Sequence, residues 1–139
     1  MIALGELGEF LGSVTGILFF LALLNYPVKF INKRWISKLP KDSGVKKTYL
    51  AIMKFLVQKH RFFALGALAT VAVHLYIQLT YRWLSVTGLV AAGLLLFTVL
   101  LGANLFFRHK GKRGLLFQVH RLAALSVLVA FAIHYITRI

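Results

Sequence analysis

Five histidines stand in a chain of 139 residues, and four of them form two copies of one pattern. His60 and His74 are fourteen residues apart, as are His120 and His134, and the two segments align without a gap at an offset of 60. Seven of the fifteen aligned positions are identical: both histidines, Arg61/Arg121, Ala64/Ala124, Leu65/Leu125, Leu68/Leu128 and Ala72/Ala132. On a helix, fourteen residues span about 3.9 turns and about 21 Å, so the two histidines of one copy share a face and cannot hold one ion together. A single-ion chelate on one helix needs histidines three or four residues apart, a spacing absent here. Each histidine therefore needs a partner from the other copy. That predicts two sites, His60 with His120 and His74 with His134, one above the other.

The elements that carry these residues follow from composition. The chain is 60% hydrophobic, with 17 Lys+Arg against 3 Asp+Glu and no cysteine. Such a short, apolar chain cannot hide its surface in one small core, so its solvent is lipid. The hydrophobic content excludes disorder. The missing cysteines exclude a disulfide framework, a Cys-ligated zinc or iron–sulfur site, and covalent haem attachment. A helix crossing about 30 Å of hydrocarbon needs about 20 apolar residues. Four segments qualify: Phe10–Val28, Phe62–Tyr81, Trp83–Phe107 and Leu115–Thr137. The reading is a single all-α integral membrane domain, a four-helix transmembrane bundle. Pro27 is expected to bend or stop the first span. The first residues carry Glu6 and Glu9 rather than a basic stretch, so no cleavable signal peptide is expected.

Charge predicts orientation. Lys29–Arg61 and Arg108–Arg121 together hold 15 basic residues, and the rest of the chain holds 2. Basic flanks stay on the cytoplasmic side, which puts both termini outside, in a plasma or inner membrane. This sidedness explains the net charge of +14 without nucleic-acid binding. Within the basic linker, Ser43 is expected to cap a helix. Residues 49–57 either run along the inner leaflet or extend the second span. His60 then lies level with His120 near the inner surface, and His74 level with His134 near the outer.

A haem iron accepts one imidazole on each side of its macrocycle, and two facing helices can each supply one. Ala64, Ala67 and Val71 on one helix, and Ala124, Val127 and Phe131 on the other, lie between the ligands on the same face. Gly8, Gly12 and Gly16 of span one, with Gly88, Ala92, Gly93 and Gly102 of span three, are expected to leave room for flat macrocycles. His109, in the Arg108–Arg113 loop, reads as solvated.

In this pattern the chain resembles the diheme transmembrane cytochromes b, which include the ferric reductase and NADPH oxidase membrane domain and the cytochrome b of bc complexes. The resemblance covers roughly residues 60–138 and rests on the four histidines and their topology. It implies two non-covalent haem b groups, with His60/His120 binding the inner iron and His74/His134 the outer. It also implies transmembrane electron transfer, as a subunit or module of a larger redox system such as a ferric reductase. Neither a flavin- or nicotinamide-binding domain nor a Pro-Glu-Trp-Tyr quinol motif is present. Arg61 and Arg121 are candidate partners of the haem propionates, ahead of Arg82 and Arg138. Partners expected are membrane lipid and a redox protein or quinone, with a homo-oligomer or larger complex open. Two rival readings stand beside this one. One is a quinone-reactive anchor, with Gln78, Tyr76, Tyr81 and Asn104 as candidate quinone contacts. The other is a haem-free transport or structural protein whose histidines make proton relays or hydrogen bonds.

Overall fold

The computed structural model describes residues 2–108 and 114–137, with side chains from Gly5 onward. It is all-α. In order come α1 (Ile2–Leu23), α2 (Asn25–Arg34), a single 3₁₀ turn (Ile36–Lys38), α3 (Gly44–Tyr81), α4 (Val86–Phe107) and α5 (Leu115–Thr137). Among the described residues, four helical stretches are long and apolar enough to cross a membrane, the first of them α1 and α2 together. Large side chains such as Phe62, Phe107, Leu115 and Ile136 are exposed on the outside of the bundle. In an integral membrane protein that surface faces lipid, where it carries no hydrophobic penalty.

Pro27 does not stop the helix, which is interrupted only at Leu24. The chain turns at Leu24 and resumes at Asn25, which leaves Pro27 in the first turn of α2, where its missing N–H is tolerated. The ladder survives on both sides: Leu24 N–H donates to Phe20 O at 3.0 Å and Val28 N–H to Leu24 O at 3.1 Å. Ser43 caps α3 as expected, accepting from the Lys46 N–H at 3.5 Å. From there α3 is unbroken for 38 residues, so residues 49–57 extend the second span rather than lying along the leaflet. Tyr49 donates its hydroxyl to Val28 O at 2.9 Å and pins α2 to α3. Lys46 Nζ donates to Ser37 O and Leu39 O, tying down the intervening turn. Ser85 caps α4 by accepting from Gly88 N–H at 3.2 Å.

Packing divides the bundle into two antiparallel pairs. α1 lies along α3, and α4 lies along α5, while α3 touches α4 only briefly and shares no extended backbone contact with α5. The α1–α3 seam is close: a Cβ on Gly66 would meet Leu18 at 3.2 Å, and Thr15 Oγ1 donates to Thr70 Oγ1 at 2.8 Å. At mid-level the pairs meet in a buried core cluster to which each long helix gives one side chain, Phe19, Ala67, Leu95 and Val127. Ala67 is seven residues from each histidine of α3, and Val127 seven from each histidine of α5. The core is thus a mid-level layer with a histidine pair on either side.

Candidate functional site

Each histidine is oriented by the helix paired with its own. His60 Nδ1 lies 2.9 Å from Ala22 O, and His74 Nδ1 lies 2.7 Å from Gly8 O, so α1 holds both histidines of α3. On the other side, His120 Nδ1 is 3.1 Å from Thr98 O and His134 Nδ1 is 3.1 Å from Thr87 Oγ1, with Ser85 Oγ at 3.4 Å. A backbone carbonyl only accepts. In the first three cases Nδ1 must carry the proton, and Nε2 is left with the lone pair. A neutral imidazole whose Nδ1–H is bonded to an oxygen is the arrangement in which histidine ligates metals, since the second bond fixes tautomer and ring orientation.

The two pairs lie at opposite ends of the bundle, His60/His120 at the end where the basic residues gather and His74/His134 at the far end. At the basic end the His60 and His120 rings have centroids 6.3 Å apart and planes 86° apart. A metal–imidazole bond is about 2.0 Å and a ring centroid stands about 1.2 Å behind its nitrogen, so imidazoles on opposite sides of one ion have centroids about 6.4 Å apart. The observed separation matches. At the far end, His74 and His134 both line a cavity of about 910 Å³. Phe19, Leu95 and Val127 of the mid-level layer line the same cavity, together with Phe131 and, toward the helix ends, Glu9, Gln78, Arg82 and Ser85.

Glycines make these ring positions available. A Cβ on Gly12 would stand 3.1 Å from His74 Cε1, on Gly88 2.9 Å from His134 Cε1, and on Gly102 3.1 Å from His120 Cε1. These glycines give room to the imidazoles themselves, a closer role than clearance for a macrocycle. Gly16 instead admits the Phe131 ring, which a Cβ would meet at 2.5 Å, and Gly93 has nothing within 4 Å.

The donor set narrows what could bind. Among the described residues, no three His, Cys, Asp or Glu side chains converge, so each level offers two imidazoles and no protein cage. Two opposed neutral imidazoles suit an ion whose other ligands come from elsewhere, as in a haem, whose macrocycle fills the equatorial plane. The ring separation at the basic end, the cavity at the far end and the tautomer fixed at His60, His74 and His120 fit that group.

The arginines sit beside the basic-end pair but lie against aromatic rings. The Arg61 guanidinium is 4.0 Å from the Phe106 ring, and that of Arg121 is 3.9 Å from the Tyr26 ring. Both are cation–π contacts. Arg82 lines the far cavity and pairs with Glu9, Nη1 to Oε1 at 3.0 Å. Of the quinone candidates, Gln78 lines that cavity, Tyr76 and Tyr81 are exposed on the helix surface, and Asn104 has a buried, unpartnered Oδ1. His109 and Arg138 lie outside the described residues.

Sequence reasoning missed the oxygen acceptors. Gly8 and Ala22 are themselves fourteen residues apart, mirroring the histidine spacing, but a backbone carbonyl has no residue-type signature. Compared with known proteins, the chain matches no family, no curated protein and no solved structure. The class that fold and composition define is an all-α, four-helix integral membrane protein.

Proposed function

We propose that this chain is a transmembrane electron-transfer protein of the diheme cytochrome b type, working as a module of a larger redox system. Two haem b groups, when bound, supply reversible one-electron chemistry at iron. The observation that carries the reading is the repeated imidazole geometry: two pairs at two levels, each Nδ1 tied to a neighbouring helix, with the basic-end rings at the separation one shared ion requires. His60 and His120 would hold the group at the basic end, His74 and His134 the one at the far end. Arg61 and Arg121 stand where they can swing from their aromatic rings onto a carboxylate at the membrane edge. Basic flanks favour the cytoplasmic side, so both termini would lie outside. With two imidazoles given to each group no protein side chain would serve as an acid or base there, so bond-making chemistry would belong to partners.

A quinone-reactive anchor is the second reading, favoured by Gln78, whose amide lines the far cavity beside His74. A reduced-minus-oxidised absorption spectrum of the detergent-purified protein, with haem quantified per chain, tests the main proposal. Two haems with low-spin bis-imidazole character are expected, and a colourless protein would return the histidines to structural or proton-relay roles. Haem reduction by added quinol in the isolated protein would favour the second reading.

A further inference from the structure

α1 clears space for three polar side chains at the far end of α3, one glycine to each. A Cβ on Gly12 would stand 3.1 Å from the His74 ring, on Gly8 3.3 Å from Gln78 Nε2, and on Gly5 3.0 Å from Arg82 Nη2. His74, Gln78 and Arg82 follow one another at four-residue steps, so they run up one face of α3 from the ligand position to the helix end, about 12 Å in all. Arg82 lies just past the last helical residue but stays in register, its N–H donating to Gln78 O at 3.0 Å. All three line the far cavity. That cavity therefore has one polar wall, with an imidazole innermost, then an amide, then a guanidinium at the mouth.

The wall is unevenly engaged. His74 gives its Nδ1–H to Gly8 O. The half-buried Gln78 amide makes no hydrogen bond among the described residues, and a polar group left unpaired within a span is costly and marks a binding function. Arg82 gives one N–H to Glu9, and with side chains 45% and 58% exposed that ion pair is weak and readily exchanged. Arg82 is also the only Lys or Arg lining the cavity among the described residues. Two donors one turn apart, one of them cationic, suit an acceptor-only anion, which is a carboxylate. Glu6 and Glu9 at the same lip oppose an anion, and Glu9 does so by holding Arg82.

We propose that Gln78 and Arg82 form a carboxylate subsite of the far cavity, receiving the acidic edge of the flat ligand held by His74 and His134, with Glu9 a competitor for the guanidinium. The proposal rests on the reading of those histidines as haem ligands. It fixes the ligand's orientation: the carboxylate edge lies toward the Arg82 end of α3, and the apolar edge faces Phe19, Leu95 and Val127 of the mid-level layer.

The test loads the full chain in detergent with haem or with haem dimethyl ester, whose carboxylates are masked, and follows release to a scavenger protein. The far-site phase is the one that His74→Ala removes. Arg82→Gln and Gln78→Leu should each speed haem release about three- to tenfold, Glu9→Gln should slow it, and none of the three should change release of the ester. Opposite signs for Arg82→Gln and Glu9→Gln are the signature, because an ion pair that merely joins α1 to α3 loses the same stability from either side. Equal losses in those two variants, or equal effects on haem and on the ester, would overturn the subsite and leave the histidine reading standing. Unchanged retention in Gln78→Leu, with haem reduction by added quinol lost, would assign the amide to a quinone and overturn its place here. A wild-type chain that takes up neither haem nor ester would overturn the proposal and the reading beneath it together.

Discussion

The His60 and His120 rings stand with centroids 6.3 Å apart although their helices, α3 and α5, make no extended backbone contact. The histidines thus bridge a gap that the helices leave open. Each ring is anchored from behind, His60 by Ala22 O and His120 by Thr98 O, so the gap is spanned by oriented groups rather than by loose ones.

Pairing by level has a direct consequence for single substitutions. His60→Ala and His120→Ala should each remove one haem of two while leaving the far site filled, and His74→Ala and His134→Ala should do the converse. Haem per chain and the redox titration of what remains check this. Loss of both groups from any single variant at unchanged protein yield would contradict independent levels.

The orienting oxygens should matter nearly as much as the ligands. Among them Thr87 and Ser85 offer side-chain oxygens that can be altered without touching the backbone, and the nearer, Thr87 Oγ1, is 3.1 Å from His134 Nδ1. Thr87→Val keeps the shape and deletes the bond. The expected cost is about 10–100-fold in haem affinity at the far site, with Thr87→Ser restoring most of it. Haem dissociation to a scavenger protein, followed separately at the two sites, measures the effect. Ser85, at 3.4 Å from the same nitrogen, sets the residual binding in Thr87→Val.

Much of this arrangement is legible in the sequence because it is periodic. The apolar runs give the helices, and the fourteen-residue spacing with its offset of 60 gives the two levels. What is hidden depends on distance across helices. Phe19 looks like any other apolar residue of the first span, yet it is the α1 member of the buried layer with Ala67, Leu95 and Val127. Gly12, Gly88 and Gly102 stand out as small residues, but that each faces an imidazole is set by how deeply the paired helices interlock. The course of residues 49–57 is ambiguous in the sequence for a physical reason: a segment this apolar can lie along a leaflet or prolong a span, and the unbroken α3 with the brace from Tyr49 to Val28 settles it.

Those glycines make graded substitutions available. Gly88→Ala brings a methyl to 2.9 Å from His134 Cε1, a distance at which the ring must move, whereas Gly93→Ala, on the same helix, meets nothing within 4 Å. Overpacking of this kind costs about 1–3 kcal/mol. Gly88→Ala should lower haem occupancy and melting temperature at the far site, and Gly93→Ala should leave both unchanged. Gly102→Ala should do the same at the basic-end site through His120, at 3.1 Å. Site-resolved spectra of the three proteins decide the matter; a Gly93→Ala defect as large as that of Gly88→Ala would mean that generic helix packing is being read.

Ala67 offers the opposite experiment, one position that should disturb both levels together. It is fully buried, lies midway between the histidines of α3, and packs in the layer that joins the two helix pairs. Leu at this position adds three carbons where the α1–α3 and α4–α5 pairs meet, and close-packed interiors yield by moving backbones rather than by compressing. The pairs should be pushed apart, lengthening the span from His60 to His120 and from His74 to His134 alike. Ala67→Leu is therefore expected to weaken haem retention at both sites by comparable factors, with Ala67→Gly near neutral. Parallel loss at both sites, against the single-site loss of the glycine variants, would identify the layer as the spacer that sets both ligand separations. Loss at one site only would show that the levels are positioned independently of it.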